Sequence, residues 1–383
     1  MDLSLRFPNT IIRSKVRSKY RCAVSNELYS EFSLLFPNQV SLGARIADKF
    51  EDRSVHSVLA IALTQSGKTG SMLSTIHHFL SVHSIAIPIQ HVFIITGHSS
   101  VDWIQQTKDR FPVSLHSNIF HRNKLDDFVD AVSDLTNVLI FIDETQIACK
   151  ANQCIQKAFS RAGFDEKSIY SRDIKFVHVS ATPSSVVKKF IPITRGHDVI
   201  FMDPAPNYRS IFDLVAEGRV FQYKDLCGFD SVTLSVDPIA LDNIREIYPF
   251  VSLDNPKYHI IRTHHSFLHD ITVDNFKKVF VGDFEFITHS DADLSSELDS
   301  ILSTPPLINT FIFIKERLRC ATTIPKMFLG VLYERHTGLT NDFTIIQGLA
   351  GRATGYHSFS PVIFSNLFSI KRYQLLWAAK FFL

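Results

Sequence analysis

Four apolar runs in the first half of the chain limit the fold more than any other feature: VLAIAL (58–63), HVFIITG (91–97), NVLIFIDE (137–144) and KFVHVSA (175–181). Each has strand length, is rich in β-branched and aromatic residues, and is apolar without alternation. A strand with one wet face alternates, whereas a strand covered on both faces does not. These runs therefore predict a parallel sheet sandwiched by helices. Intervening stretches such as TGSMLSTIHHFLSVH and SVDWIQQTKDRF are long enough for the crossover helices that parallel strands require. The second half repeats the theme more weakly in YHIIRT (258–263), FEFITH (284–289), NTFIFIK (309–315), FLGVLYE (328–334) and DFTIIQG (342–348), with ADLSSELDSILS as an intervening helix. A softer region follows Pro192, and Pro204 and Pro206 in FMDPAPNY mark a linker. The pattern predicts an α/β chain of two domains with mostly parallel sheets, hinged near 200–210.

Composition narrows the function classes. Over 383 residues, 45% hydrophobic and 20% charged describe a chain that buries a core, which excludes a disordered tail, a collagen-like repeat and a pure coiled coil. Lys+Arg of 40 against Asp+Glu of 38 leaves a net charge of +2, so any surface for a polyanion must be local. One local surplus is the basic N-terminal segment 1–30, with Arg6, Arg13, Lys15, Arg17, Lys19 and Arg21 against Asp2. It reads as a phosphate-touching arm, a targeting segment or a solvated leader. Five cysteines, Cys22, Cys149, Cys154, Cys227 and Cys320, form no CxxC pair and suit buried thiols in a reducing compartment. No apolar run is long enough to span a bilayer and no signal-peptide core opens the chain, so the expectation is a soluble, intracellular protein without a membrane partner. Phe is abundant at 33, as core filler or codon bias, and Gly is scarce at 14. Glycines that cluster in such a chain mark places where the backbone needs them.

Four segments carry chemistry. Ala62-Leu-Thr-Gln-Ser-Gly-Lys-Thr69 follows the first strand and precedes a helix, as a phosphate-binding loop must. Thr64, Gln65, Ser66, Gly67, Lys68, Thr69 and Gly70 are the candidate phosphate cradle. Gly67 permits the turn, Lys68 supplies charge for the β- and γ-phosphates, and Thr69 supplies a hydroxyl for Mg²⁺. Ala62 stands where the general pattern has glycine. Val138-Leu-Ile-Phe-Ile-Asp-Glu-Thr-Gln146 ends a buried strand in two carboxylates, which needs a cation or a reacting water to account for it. In nucleoside triphosphate hydrolysis Asp143 would hold Mg²⁺ and Glu144 would orient the attacking water. Val179-Ser-Ala-Thr-Pro183 places Ser180 and Thr182 at another strand end, where small hydroxyls can sense the state of the acidic segment. Ile345-Ile-Gln-Gly-Leu-Ala-Gly-Arg-Ala-Thr-Gly-Tyr356 holds three of the 14 glycines beside Gln347 and Arg352. An arginine at the γ-phosphate would stabilise transition-state charge.

Taken in this order, the residues resemble a superfamily 2 helicase of the DEAD/DEAH-like type. The matching segments are motif I (ALTQSGKT), motif II (DETQ), motif III (SAT) and motif VI (QGLAGRATGY), and the overall flavour is that of helicase-like proteins of large DNA viruses, phages and plasmids. The resemblance implies two tandem RecA-like domains of the P-loop NTPase class, at 31–203 and 204–383. ATP-Mg²⁺ would be the cofactor, and DNA or RNA would be gripped by its backbone. LFPNQ (35–39) looks like the upstream glutamine motif, which implies that Gln39 reads adenine. ITGHSSVDW (95–103) resembles motif Ia, which implies nucleic-acid contacts for Ser99, Ser100 and Trp103. Phe313–Ala321 occupies the place of motif V, where Lys315, Arg317 and Arg319 face phosphates or solvate a helix. Two departures stand out: the last motif reads Q-x3-G-R rather than Q-x2-G-R, and it ends in Tyr356 where a second arginine is common. Catalytic roles thus fall to Lys68, Asp143, Glu144, Gln347 and Arg352. A protein partner fits so small a motor.

Two other classes stay open. A packaging-type P-loop ATPase with a nuclease-like second half would need a late acidic metal cluster, for which Asp291, Asp293 and Glu297 are weak candidates. A helicase-like adaptor would bind without turnover. His77, His78, His264 and His265 lack metal-ligand spacing and read as core or solvated histidines.

Overall fold

The computed structural model describes residues 35–81, 86–99, 101–145, 147, 153–183, 196–230, 232–233, 235–289, 295–315, 323–338, 341–357 and 361–381. The chain divides into two compact units between Pro206 and Asn207.

In the first unit, helix α1 (Pro37–Lys49) is followed by β1 (Ser57–Ile61), α2 (Lys68–Ser81), β2 (Val92–Thr96), α3 (Val101–Lys108), β3 (Ile119–Phe120) and α4 (Leu125–Val132). Then come β4 (Val138–Asp143), α5 (Cys154–Arg161), α6 (Glu166–Ser171), β5 (Ile174–Ser180) and β6 (His197–Phe201). The strands form one sheet in the order β3-β2-β4-β5-β1-β6, and every pairing is parallel. β1 and β2 are buried at every residue, which is why they read as continuous apolar runs. Phenylalanine fills one side of the sheet: Phe93, Phe120, Phe128, Phe159 and Phe176 join a single apolar cluster whose ring centroids lie 5.2–6.3 Å apart.

The second unit runs α7 (Ile211–Ala216), β7 (Val220–Gln222), a small antiparallel hairpin of β8 (Phe229–Asp230) and β9 (Ser235–Val236), α8 (Pro238–Arg245), β10 (Tyr258–Thr263), α9 (Phe267–Val279) and β11 (Phe284–His289). It continues through α10 (Ser295–Leu302), β12 (Asn309–Lys315), β13 (Leu329–Tyr333), α11 (Asp342–Gln347), α12 (Leu349–Arg352), β14 (Val362–Ser365) and α13 (Leu367–Ala378). Its sheet is again wholly parallel, in the order β11-β12-β10-β13-β14-β7.

One run departs from the sequence reading. DFTIIQ forms helix α11 rather than a strand. Asn341 caps it by accepting the Phe343 N–H, and Asp342 sits in the first turn, where negative charge favours a helix. Three β-branched residues, Thr344, Ile345 and Ile346, in so short a run do not decide between the periods.

Candidate nucleotide site

The C-terminal ends of β1, β5 and β4 lie side by side, and that adjacency assembles the first unit's motifs. Ile61 pairs with Ser180, and Asp143 pairs with Val179. Beyond the strands, the Ala62 N–H donates to the Ser180 carbonyl at 3.0 Å and the Thr145 N–H to the Val179 carbonyl at 3.2 Å. Motifs I, II and III are therefore stitched together by backbone bonds at the C-terminal end of the sheet.

The loop from 62 to 67 turns into α2 through two left-handed residues, Gln65 with φ of 54° and Gly67 with φ of 111°. Ala62 is not among the residues with positive φ, so a side chain there is accommodated and the glycine of the general pattern is not required. The Ser66 hydroxyl donates to the Leu63 carbonyl at 2.7 Å, bracing the turn from inside. Thr64 and Ser66 are buried, while Gln65, Lys68, Thr69 and Gly70 are half-buried at the start of the helix. The helix N-terminus there supplies N–H groups and a positive field suited to an anion.

Gln39 lies against this loop. Its Oε1 accepts the Phe36 N–H at 2.9 Å, and its Nε2 donates to the Gly67 carbonyl at 3.2 Å. A Cβ added at Gly70 would come within 2.3 Å of the Gln39 amide carbon, so the amide lies against the loop in space that a side chain at position 70 would take. Two of the four hydrogen-bonding places of the Gln39 amide are thus used to hold the loop.

Asp143 and Glu144 end β4. Burial, then the adjacent Glu144 charge, push the Asp143 carboxyl up to about 6, against the opposing pull of the Trp103 indole and Lys68. The Asp143 Oδ1 accepts the Glu144 N–H at 3.0 Å and its Oδ2 accepts the Trp103 indole N–H at 3.0 Å. Glu144 is buried in left-handed backbone with φ of 51°, a conformation that costs a non-glycine residue on the order of 1 kcal/mol or more and gathers at functional positions. Desolvation and the neighbouring carboxylate both disfavour the Asp143 charge, a cost that a cation at the strand end would relieve. The donors at hand, a carboxylate and the Thr69 hydroxyl, are hard oxygens of the kind Mg²⁺ takes alongside substrate phosphates, so the residues fit Mg²⁺. Among the described residues no cluster of three or more His, Cys, Asp or Glu forms a metal site.

Ser180 and Thr182 are buried beside this pair, and the Ser180 Oγ accepts the Thr182 N–H at 3.0 Å. Thr145 of motif II and His178, which no motif marks, link the acidic strand to its neighbour through a 2.8 Å contact between Oγ1 and Nδ1.

Not every sequence-assigned residue stands where its role was read. Ser99 is exposed, consistent in placement with a surface contact, whereas Ser100 lies outside the described residues. Trp103, read as a nucleic-acid contact, is 6% exposed and aimed at Asp143 instead, because α3 folds its apolar face down on the sheet. Lys315 is half-buried at the end of β12, and Arg317 and Arg319 lie outside the described residues, as do the N-terminal segment, Asp291 and Asp293.

In the second unit Gln347 ends α11 and Arg352 ends α12, both buried, with Arg352 only 3% exposed. Gly348 breaks the two helices apart. A Cβ there would meet the Glu334 Oε2 at 2.4 Å and the Thr344 carbonyl at 2.7 Å, so only glycine fits. Glu334 anchors this turn: its carboxylate accepts Arg262 Nη1 at 2.7 and 2.8 Å, the Arg335 N–H at 3.1 Å on Oε1 and the Leu349 N–H at 3.1 Å on Oε2. Lys326 donates to the Thr354 carbonyl just beyond Arg352, and burial and then the Arg352 charge lower its ammonium to about 7. None of Arg262, Glu334 or Lys326 belongs to a motif.

The fold, two parallel α/β units, is similar to that of solved helicases. The chain superposes on Mss116p bound to single-stranded RNA and AMP-PNP with a TM-score of 0.55 at 14% identity, covering 94% of this chain and 76% of that one. A variant of Dbp5 from S. cerevisiae, bound to RNA and ADP with beryllium fluoride, gives 0.50 at 13% identity over 91% and 92% of the two chains. The Escherichia coli DEAH/RHA helicase HrpB gives 0.52 at 13% identity over 87% of this chain, which spans 43% of that longer protein. By sequence, the chain is 24% identical over 348 residues to uncharacterized protein L594 of Acanthamoeba polyphaga mimivirus, covering 84% of this chain and 82% of that protein. No protein-family profile matches it. Among the described residues no helix is long and apolar enough to cross a membrane.

Proposed function

We propose that this protein is an ATP-dependent nucleic-acid helicase or translocase. The observation that carries the reading is the convergence of Asp143, Glu144 and Ser180 with the Lys68 loop at the C-terminal end of three adjacent strands. Lys68 and the N–H groups of the loop bind the β- and γ-phosphates, and Glu144 orients the attacking water by accepting its proton. Asp143 and Thr69 would hold Mg²⁺, whose chemistry is to neutralise charge on the transferring phosphoryl group. Gln347 and Arg352 take part in turnover, with Arg352 supplying a guanidinium for the charge that develops in the transition state. Ser180 and Thr182 sense the acidic pair through the strand they share. Backbone contacts from Ser99, Ser100, Lys315 and Arg319 would hold a strand of DNA or RNA; two of the similar solved structures are bound to RNA.

The test is phosphate release by the full chain with single-stranded DNA, single-stranded RNA or neither, followed by strand displacement with the better activator. Stimulation by a strand, lost in a folded Lys68→Ala variant, is the outcome that supports the reading. Turnover retained by Lys68→Ala removes the assigned site.

A further inference from the structure

The carboxylate assigned to metal binding is gripped from the side by a helix to which the resemblance gives another task. Trp103 lies on α3, 40 residues from Asp143 in sequence, and its indole N–H meets Oδ2 at 3.0 Å. The Asp143 backbone carbonyl also accepts from the Thr96 hydroxyl at 3.2 Å, at the end of the strand that leads into α3. Arg110, two residues past the end of α3, is half-buried and within the field of the same carboxylate, whose charge opposes the lowering of its guanidinium by desolvation. Lys68 and Glu144 are the other charged groups that bear on Asp143.

This arrangement is more specific than core packing demands. An apolar ring would fill the space under α3 equally well, and a buried indole N–H is commonly satisfied by a backbone carbonyl. Here it goes to an ionisable strand-end carboxylate whose other oxygen is already taken by its own chain neighbour, the Glu144 N–H. With both oxygens restrained, the carboxylate has one orientation and presents fixed lone pairs to whatever lies beyond. Groups that orient a metal ligand in this way are worth as much to metal affinity as some ligands.

We infer that Trp103 is a positioning residue for Asp143, its indole N–H fixing the carboxylate in the orientation that takes the metal of the nucleotide complex. The inference rests on the nucleotide-site reading above.

The chain has two tryptophans, so Trp377→Phe leaves Trp103 as the sole indole without touching the site. In that full-length protein, a non-hydrolysable ATP analogue titrated with MgCl₂ produces a saturable change in tryptophan emission, and Asp143→Asn in the same background shifts the emission of the free protein. In the otherwise wild-type chain, Trp103→Phe raises the Mg²⁺ concentration for half-maximal turnover by roughly tenfold or more, while affinity for the analogue in EDTA stays within about twofold. Emission from Trp103 that ignores Mg²⁺ and analogue which the protein demonstrably binds overturns the inference, as does an unchanged Mg²⁺ requirement in Trp103→Phe. In both cases a wild-type protein that hydrolyses ATP leaves the nucleotide-site reading standing. A wild-type protein that binds no analogue overturns both. Should Trp103→Phe fail to fold, the emission measurements on the intact site decide the matter alone.

Discussion

Replacing Glu334 by glutamine tests whether the buried Arg262–Glu334 pair holds the turn that presents Arg352. The side chains are 5% and 4% exposed, so the substitution leaves a guanidinium inside the unit without its counter-charge. Geometry makes the neutral amide a poor substitute. Each carboxylate oxygen accepts Arg262 Nη1 together with one backbone N–H, that of Arg335 on Oε1 and that of Leu349 on Oε2. Whichever way the amide is turned, its NH₂ faces two donors. Breaking a buried pair from one side costs about 3–5 kcal/mol, a large part of the roughly 5–15 kcal/mol that holds a domain together. With a urea slope of about 2 kcal/mol/M, the midpoint for the second unit falls by about 1.5–2.5 M. Trp377 on α13 reports that unit, so the assay is equilibrium unfolding followed by its emission in a Trp103→Phe background. The double variant Arg262→Met/Glu334→Leu removes both charges and loses markedly less than the two single losses summed, leaving chiefly the Leu349 and Arg335 N–H groups to be satisfied. A loss below about 1 kcal/mol for Glu334→Gln, or strict additivity in the double variant, refutes the reasoning.

Gly43→Ala puts a Cβ 2.3 Å from the Ser74 Oγ and 2.7 Å from the Thr75 backbone nitrogen, so α1 must lift from α2. Helix propensity favours alanine by about 1 kcal/mol, yet the first unit should melt lower, not higher; a raised melting temperature would contradict the close packing described. His259 is fully buried with its Nε2 3.1 Å from the Asn309 Oδ1, and burial lowers its imidazole to about 4. Because the unfolded chain takes up this proton near 6.5 and the folded chain does not until about 4, stability present above 6.5 falls through that window by up to about 1.4 kcal/mol per pH unit. Between pH 7.5 and 5 the urea midpoint of the second unit should therefore drop further in the wild type than in His259→Gln, and equal drops would count against the assignment.

What the sequence disclosed follows from how far each feature reaches along the chain. Strands β1, β2, β4, β5, β10, β12 and β13 lie in stretches of eight residues or fewer that are largely apolar, because both faces are covered, whereas β11 at the sheet's edge is only partly buried and alternates. The edge strands β6 and β7 were not legible: HDVIF is mostly half-buried and VFQ has only three residues, too few for a pattern. β14, four residues of VIFS, is buried but too short to stand out. Motifs I to III were legible because a phosphate loop and a strand-end carboxylate pair are local in sequence, and the parallel register brings them together. The supports around them were not. Trp103 to Asp143 spans 40 residues, His178 to Thr145 spans 33 and Arg262 to Glu334 spans 72, and no spacing rule connects such pairs. The same limit explains Trp103, whose neighbours in sequence suggested a nucleic-acid contact while its contact in space is a carboxylate.

The proposed part of Arg352 in turnover is tested most directly by the turnover number of Arg352→Ala with nucleotide affinity measured in parallel. Turnover is expected to fall by about 10³-fold or more, with ATP affinity within a few-fold of wild type. Turnover within a few-fold of wild type, under conditions where Lys68→Ala is inactive, would contradict it.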